Sequence, residues 1–387
     1  MRTAPLQLPD TAMHGARLEI SLDAIAANYR KIAAIAAPAR TSAAIKADAY
    51  GLGLKPVAQC LASAGCDIFF VAHYAEGVAL RAVLPRARIY ILHGLPVITE
   101  HGACGQHSFA STAHGFASHG LRPVINSLPE LLTWRKMGMQ QSGAILNFDT
   151  GMSRLGLSTQ ETAQLVSSAD LLEDVVVDFI MSHLACADEP DHPLNAQQLA
   201  AFNALRQAFP GIPASLANTA GTLLGAAYRH DLVRPGIGLY GGSPSGAGES
   251  PFEPAVRLYA RILQVRDVDS VNYVGYGASY RPAGPARIAV AGIGYADGYM
   301  RALSNLGVGY IGNQPVPLVG RISMDMCTFD ISGIAQTECA PGCEIELIGP
   351  NAPLERAAAL AGTINYEILT HLGRRFQRSY SGPGTAA

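Results

Sequence analysis

The chain has 387 residues, of which 49% are hydrophobic and 15% charged, so it can build a large core, and its length favours two domains. The formal net charge of −2 argues against a nucleic-acid-binding protein, because such proteins present a basic stripe. The seven cysteines are odd in number and widely spread, which is typical of free thiols in a reducing compartment.

The first 16 residues are predicted to form a flexible leader. They contain Pro, Asp and His but lack the apolar segment of a secretory signal. No later run approaches the roughly 18 apolar residues of a membrane span. We therefore expect a cytoplasmic protein with no membrane partner.

From residue 17 onward, short apolar strands alternate with loops and amphipathic helices. After a first strand at Arg17–Ser21, the pattern predicts eight strands, at Ser42–Lys46, Asp67–Ala72, Arg88–His93, Leu121–Asn126, Gly143–Asp149, Val175–His183, Ala214–Asn218 and Asp231–Ile237. Such alternation is typical of a parallel sheet, and eight units in about 230 residues favour an α/β fold with a closed (β/α)8 TIM-type barrel. The alternative, a doubly wound open sheet, is weakened by the absence of a Gly-x-Gly-x-x-Gly turn.

The alternation of strands and helices ends near residue 242, so we assign the barrel to 17–242 and a second domain to 243–387. Residues 243–248 resemble a linker rich in Ser, Pro and Gly. Strand-like runs then dominate, at Ala255–Val268, Arg287–Gly292, Pro315–Met324, Met326–Ile331 and Glu344–Ile348, with helices only at Leu354–Ala361 and Tyr366–Leu372. The second domain is therefore expected to be smaller and mostly β.

The stretch from Thr41 to Gly53 contains one lysine, Lys46, which follows a short apolar run. Barrels of this kind place their chemistry at the carboxyl ends of the strands. Burial lowers the pKa of a lysine amine, and a neutral amine can bond covalently to an aldehyde. The alternative is a lysine that reaches solvent from a strand end.

Other polar groups follow the later strands of the predicted barrel: Arg154, His183, Thr219 and Arg234. Taken singly, each has an ordinary explanation, such as a core histidine, a surface arginine or a helix N-cap. Together they bring a lysine, two arginines and a histidine to one rim, which indicates a binding site.

The chemistry of this rim indicates which ligands it suits. The backbone N–H groups of Gly236 and Ile237, the Thr219 hydroxyl and the Tyr50 phenol suit a phosphate. Arg154 can bind a carboxylate through two parallel hydrogen bonds. A lysine for an aldehyde, a nest for a phosphate and an arginine for a carboxylate together describe pyridoxal phosphate and an α-amino acid.

Seven segments resemble the motifs of alanine racemases, in the same order. They are residues 45–53, 149–156, 182–188, 234–241, 292–299, 320–325 and 364–367. The first reads Ile-Lys-Ala-Asp-Ala-Tyr-Gly-Leu-Gly and is similar to the pyridoxal-phosphate lysine motif of that family, with Leu52 where histidine is commoner. The resemblance extends from about Leu18 to Tyr380.

This resemblance implies a homodimeric alanine racemase with shared active sites that uses two bases, supplying D-alanine for peptidoglycan. Lys46 would serve one face of the cofactor and the partner subunit's Tyr295 the other. His183 would relay protons for that tyrosine, whose residue type has an unperturbed pKa near 10. Arg234 would face the pyridine nitrogen as a donor and leave it unprotonated.

The resemblance also implies a set of binding contacts. Tyr50, Thr219, Gly236 and Ile237 would hold the phosphate. Arg154 and, across the dimer, the backbone N–H of Met324 would contact the substrate.

Two positions depart from the family pattern. The C-terminal phosphate tyrosine of the family has no clear counterpart, since Arg374 falls near that place. Asn147 stands where many relatives carry a carbamylated lysine that braces the substrate arginine. Asparagine cannot be carbamylated, so we hypothesise that an anion such as chloride lies between Asn147 and Arg154. No metal-ligand motif is predicted.

Three alternatives share parts of this pattern. A broad-specificity amino-acid racemase shares the fold and can share Asn147. A pyridoxal-phosphate decarboxylase of similar architecture would release carbon dioxide, and the Tyr295 motif argues against it. A non-catalytic homeostasis protein that binds pyridoxal phosphate resembles the barrel alone, and the large second domain argues against it.

Overall fold

The computed structural model describes residues 14–95, 109–245 and 250–382. Of the predicted leader, residues 1–13 lie outside the described residues. The described strands, in chain order, are β1 (Ala16–Ser21), β2 (Arg40–Thr41), β3 (Ala43–Ala44), β4 (Ile68–Val71), β5 (Arg88–Ile91), β6 (Leu121–Ile125), β7 (Ala144–Asn147), β8 (Val177–Met181), β9 (Ala214–Ser215), β10 (Leu232–Val233), β11 (Val256–Val268), β12 (Ala286–Ala291), β13 (Val308–Ile311), β14 (Gln314–Pro317), β15 (Cys327–Asp330), β16 (Glu344–Ile348) and β17 (Gln377–Ser381).

The described helices, in chain order, are α1 (Leu22–Ala36), α2 (Lys46–Tyr50), α3 (Leu54–Ser63), α4 (Tyr74–Val83), α5 (Phe109–His119), α6 (Leu128–Lys136), α7 (Thr159–Ser167), α8 (Pro193–Ala208), α9 (Thr219–Leu223), α10 (Ala226–Arg229), α11 (Leu354–Ala361) and α12 (Asn365–His371). None of the helices described is long and apolar enough to cross a lipid bilayer.

The chain divides into two compact units. Of the described residues, those within 26–239 form one, which we term the barrel unit, and those within 14–25 and 240–382 form the other, the β unit. The strand β1, which the sequence places with the barrel, belongs to the β unit, where it pairs antiparallel with β11 and parallel with β17. Its inward residues Leu18 and Ile20 are fully buried there.

The barrel unit contains the predicted parallel sheet. The strands from β3 to β9 pair in sequential order, and all of these pairs are parallel. The strand β10 pairs with β2, and the backbone N–H of Arg234 donates to the carbonyl of Ala217 at 2.9 Å, which links β10 to the end of β9 and closes the sheet. Strands buried on both faces, such as β4 and β7, explain the near-continuous apolar runs in the sequence.

The β unit is built on one mostly antiparallel sheet with the order β14-β13-β16-β11-β1-β17, and β12 joins β11 to β15. The strands β13 and β17 were not predicted. The predicted strand Pro315–Met324 is wrong beyond Pro317, because Gly320 has a φ of 79° and residues 320–326 form a loop. That loop carries Met324.

Candidate active site

Lys46 opens an unusual turn rather than ending a strand. The strand β3 stops at Ala44, and Ala47, Asp48, Ala49 and Tyr50 all have φ values between 54° and 56°. Four consecutive residues other than glycine in the left-handed region are strained, at roughly 1–2 kcal/mol each. Such strain persists only where the surrounding structure fixes it and is concentrated at functional sites.

Hydrogen bonds fix this turn from inside and outside. The N–H of Ala49 donates to the carbonyl of Ile45 at 3.0 Å, and that of Gly51 to Ala47 at 2.7 Å. The carboxylate of Asp48 accepts the N–H of Leu54 at 2.7 Å, and the carboxylate of Glu76 accepts the N–H of Ala47 at 2.6 Å. The turn therefore holds Lys46 at a defined place on the rim.

The amine of Lys46 lies in surroundings that favour its neutral form. Burial lowers its pKa most, the positive charge of Arg154 lowers it further, and the carboxylate of Glu76 opposes the shift. A neutral amine is the form that attacks a carbonyl and accepts a proton. The predicted lowering of the lysine pKa is therefore present in the structure.

A phosphate-type cradle lies beside this turn, where β10 ends next to the chain that leads to Lys46. The Thr219 hydroxyl, only 2% exposed, accepts the N–H groups of Gly236 at 2.9 Å and Gly238 at 3.4 Å. A Cβ atom at Gly236 would lie 2.2 Å from the Tyr50 hydroxyl, so any other residue there would displace the phenol. A hydroxyl, a phenol and a glycine-rich loop thus converge, and the Thr219 hydroxyl, which accepts the two N–H groups, keeps its own proton to donate to a phosphate.

Arg234, which is buried, and His183, which is partly buried, form a pair on the same rim. Arg234 is 6% exposed and donates to the carbonyl of Ser182 at 2.7 Å, to the hydroxyl of Ser215 and to Nδ1 of His183 at 3.3 Å. Because an arginine can only donate, Nδ1 of His183 is an acceptor, and the proton of the neutral ring lies on Nε2.

The electrostatics of this pair keep His183 neutral. Burial together with the charges of Arg234, Arg154 and Lys46 lowers the pKa of His183 to about 3. Burial lowers the pKa of Arg234 to about 9, which still leaves it protonated at neutral pH. The imidazole is therefore a hydrogen-bond donor through Nε2 rather than a cation.

The loop that carries Arg154 is preorganised, whereas its guanidinium is exposed. One carboxylate oxygen of Asp149 accepts the N–H groups of Gly151, Met152 and Ser153 at 2.9, 2.9 and 3.1 Å. The structure shows no partner for Arg154 among the described residues. Its charge nevertheless acts on both Lys46 and His183, which places it at the same rim.

The side-chain amide of Asn147 is buried, and only part of its hydrogen-bonding capacity is used. Its Nδ2 donates to Oδ1 of Asn126 at 2.9 Å, and its own Oδ1 has no hydrogen-bond partner among the described residues. The orientation of Asn126 is fixed, because its Nδ2 donates to the carbonyls of Leu92 and Val124. Asn147 therefore offers one free acceptor and one free N–H.

Tyr295 and Met324 lie in the β unit, on two loops that are joined to each other. The N–H of Tyr295 donates to the carbonyl of Ser323, and that of Ala296 to the carbonyl of Met324, both at 3.0 Å. Both side chains are exposed, Tyr295 by 43% and Met324 by 54%. The two loops therefore pack together and expose both side chains on the surface of the β unit. Their packing is close, because a Cβ at Gly294 would lie 2.3 Å from two carbonyl oxygens of the Met324 loop.

The structure thus groups eight predicted site residues in the barrel unit and two in the β unit. Sequence reasoning missed the supporting side chains. Gln198, which is fully buried, donates to the carbonyl of His183 at 2.9 Å and accepts the N–H of Ala185 at 2.8 Å. A glutamine inside an amphipathic helix gives no signal of that role. No cluster of three metal-ligating side chains occurs in the part of the chain that the structure describes.

Comparisons with known proteins agree with this geometry. The N-terminal domain family of alanine racemase matches residues 20–244, and the C-terminal domain family matches residues 255–380. The chain is 44% identical over 372 residues to a catabolic alanine racemase of Agrobacterium fabrum, covering 95% of this chain and 92% of that protein. It is also 44% identical over 374 residues to an alanine racemase of Methylobacterium, covering 96% of this chain and 99% of that protein.

Solved structures give the same result. Alanine racemase from Bartonella henselae with covalently bound pyridoxal phosphate superposes with a TM-score of 0.87 at 38% identity, covering 95% of this chain and 99% of that one. The biosynthetic alanine racemase of Pseudomonas aeruginosa superposes with a TM-score of 0.86 at 32% identity, covering 96% of this chain and all of that one.

Proposed function

From the premise that this chain belongs to the alanine racemase family, we propose how its own residues perform the reaction. The protein is a pyridoxal-phosphate-dependent racemase that interconverts L-alanine and D-alanine. The observation that carries our assignment of roles is the convergence of Lys46, the Thr219–Gly236 cradle and the Arg234–His183 pair on one rim of the barrel.

The residues present fit pyridoxal phosphate. Tyr50, Thr219, Gly236 and Ile237 would hold the phosphate, since the absence of a side chain at Gly236 lets the Tyr50 hydroxyl lie beside the Thr219 hydroxyl and this loop. Lys46 supplies the amine for the aldehyde, and Arg234 donates to the ring nitrogen. When bound, the cofactor supplies an electron-withdrawing ring that makes the α-proton of the amino acid acidic.

Two bases move the proton in this proposal. Lys46, whose pKa is lowered by burial, takes or returns the α-proton on one face. The partner subunit's Tyr295 does so on the other face. A single base on one face would return the proton to the side from which it came.

His183 supports the tyrosine as a donor. Its pKa of about 3 means that it does not hold a proton as a cation, so Nε2–H donates to the phenol oxygen and stabilises the ionised form of the tyrosine. Arg234 holds the ring in this tautomer by occupying Nδ1. This refines the relay that the sequence predicts: His183 orients and donates rather than storing the proton.

Arg154 and Met324 bind the substrate carboxylate in this proposal. The exposed guanidinium of Arg154 is free to form two parallel hydrogen bonds, and the backbone N–H of the partner subunit's Met324 adds a third donor. We further propose that a chloride rests between Arg154 and the free N–H of Asn147. Anomalous scattering without an ion there, together with activity independent of chloride, would contradict the chloride.

A homodimer with shared sites follows from this division of roles. The loops at the Tyr295 end of the β unit expose further apolar side chains, including Tyr276 by 73%, Leu306 by 54% and Met326 by 45%. Hydrogen bonds join these loops, such as the N–H of Gly320 to Asn305 at 2.6 Å and that of Ile322 to Ser304 at 3.1 Å. Because large exposed apolar patches mark protein interaction sites, we propose these linked loops as the surface that meets the partner subunit.

The activity is tested directly by circular dichroism of L-alanine with the enzyme, with and without added pyridoxal phosphate. We expect the signal of L-alanine to decay to zero, faster when cofactor is added to depleted enzyme. A constant signal would contradict the activity. Assays of alanine, lysine and serine side by side distinguish an alanine racemase from a broad-specificity enzyme, which would turn over all three.

We also propose that the enzyme works in the cytoplasm and supplies D-alanine for peptidoglycan. The biosynthetic alanine racemase of Pseudomonas aeruginosa supports this role in supply, whereas the catabolic relative of Agrobacterium fabrum supports degradation of D-alanine. Rescue of a D-alanine auxotroph at chromosomal expression levels would support supply of the cell wall. Failure of rescue by an active enzyme would count against it.

A further inference from the structure

Three glutamates of the barrel unit, Glu76, Glu130 and Glu161, occupy the same position in their helices. Each is the third residue of its helix, in α4, α6 and α7 respectively. Each accepts a backbone N–H of its own preceding loop, from His73 at 3.0 Å, Asn126 at 3.1 Å and Ser158 at 2.9 Å. This part of the pattern is the ordinary way in which a glutamate caps a helix.

The same carboxylates also reach the loop of the preceding strand. Glu161 accepts the N–H of Leu128 at 3.0 Å, and Glu130 accepts that of Leu95 at 3.5 Å. Glu76 accepts the N–H of Ala47, the residue directly after Lys46, at 2.6 Å, while its second oxygen accepts Ala72 at 2.7 Å and His73 at 3.0 Å. The same glutamate-to-backbone hydrogen bonds therefore link neighbouring loops around the rim, and those of Glu76 hold the turn that follows Lys46.

We propose that Glu76 is a positioning residue for Lys46, which it holds in place by clamping the left-handed turn to the end of β4. The turn has four consecutive residues with positive φ, so a strong external acceptor is needed to keep it in that conformation. Hydrogen bonds to a charged acceptor are about twice as strong as neutral ones. Glu76 itself does not contact the reacting atoms in this proposal.

The negative charge of Glu76 also affects the pKa of the Lys46 amine. Arg154 after β7 and Glu76 from α4 are the charged groups that shift the pKa of Lys46. The charge of Lys46 in turn lowers the pKa of His93 after β5 and of His183 after β8, so these two histidines also face it. Among the groups that shift its pKa, Glu76 raises it, whereas Arg154 and burial lower it. Loss of the Glu76 charge should therefore make the lysine nitrogen less basic.

Glu76→Gln tests the clamp sharply, because an amide has only one acceptor oxygen. Either Ala47 or the Ala72–His73 pair must then face an NH2 group, so one side of the clamp opens. Glu161→Gln is the matched control, since it alters the same hydrogen bonds at a loop that does not touch Lys46. Glu76→Asp keeps the negative charge but shortens the side chain, so it separates the loss of the hydrogen bonds from the loss of the charge.

The first measurement uses holoenzyme. We expect Glu76→Gln to release cofactor about tenfold faster on dilution, the factor that corresponds to one lost hydrogen bond to a charged group. We expect the pH midpoint of the visible absorption band, which reports protonation of the lysine nitrogen, to fall, because the Glu76 charge that raises the pKa of this nitrogen is lost. Glu76→Asp should release cofactor faster with an unchanged midpoint, and Glu161→Gln should match the wild type in both.

The second measurement is amide hydrogen exchange of the segment 45–54, which we expect to quicken in Glu76→Gln and not in Glu161→Gln. Equal behaviour of these two variants in release, midpoint and exchange would overturn the proposal, as would wild-type values for Glu76→Gln. The inference rests on the proposed function for its cofactor readouts. A wild-type chain that binds no cofactor would refute that function, while the exchange comparison would still test the clamp.

Discussion

The Thr219 hydroxyl offers a quantitative test of the phosphate cradle. It is 2% exposed and accepts the N–H of Gly236 at 2.9 Å. Thr219→Val keeps the shape and removes the oxygen. A hydrogen bond to a charged phosphate contributes about 1.5–3 kcal/mol, and the hydrogen bond that the same hydroxyl makes in the unliganded protein offsets about 1 kcal/mol of this. The net loss of about 0.5–2 kcal/mol should raise the dissociation constant for pyridoxal phosphate roughly 2-fold to 30-fold.

Two variants control for this test. Thr219→Ser retains the hydroxyl and should bind cofactor with nearly wild-type affinity. Thr222→Val removes a buried hydroxyl from the same helix, where it donates to the carbonyl of Asn218 at 2.7 Å and lies outside the cradle. The assay is fluorescence titration of cofactor-depleted enzyme with pyridoxal phosphate. Equal affinities for Thr219→Val and Thr222→Val would refute the assignment of the cradle.

Three further variants test other parts of the site. Gly294→Ala places a Cβ 2.3 Å from the carbonyls of Ser323 and Met324, so we expect it to shift the Tyr295 loop and to lower kcat with cofactor binding intact; a wild-type kcat would count against that packing. Arg234→Glu replaces the donor that we propose for the ring nitrogen, and we expect more transamination per racemisation, measured as pyruvate formed; an unchanged product ratio would argue otherwise. Because the pKa of His183 is lowered from 6.5 to about 3, the unfolded chain binds a proton that the folded chain does not, and stability falls as the pH drops through this window by about 1.4 kcal/mol per unit. His183→Gln should reduce the slope of stability against pH in urea unfolding between pH 7 and 5, while the share of His230, whose pKa is lowered to about 4, remains. An identical slope would show that His183 titrates alike in the folded and unfolded protein.

Much of the barrel follows from the sequence because its strands are buried on both faces. Continuous apolar runs such as those of β4 and β7 stand out between polar loops, and the residue after each run then falls on the rim. This reasoning finds Lys46, Arg154, His183 and Thr219 without knowledge of the tertiary structure. The motifs then add the resemblance that assigns their roles.

Features that depend on pairing between distant parts of the chain cannot be predicted from the local sequence pattern. The strand β1 looks like any amphipathic strand, and only its partners β11 and β17, which lie more than 200 residues away, place it in the β unit. The left-handed turn after Lys46 consists of Ala, Asp and Tyr residues, none of which signals positive φ in four successive positions. Glu76 reads as a helix cap, and its second role depends on a loop 29 residues earlier.

Mixing two inactive variants tests the shared active site most directly. Lys46→Ala and Tyr295→Phe each remove one base, so each homodimer should racemise alanine only at a residual rate. If the bases come from opposite subunits, a mixed dimer contains one intact site and one doubly altered site. Random reassociation makes half of the dimers mixed, so activity should return to about a quarter of the wild-type value. Activity that stays at the level of the separate variants would contradict the two-subunit account.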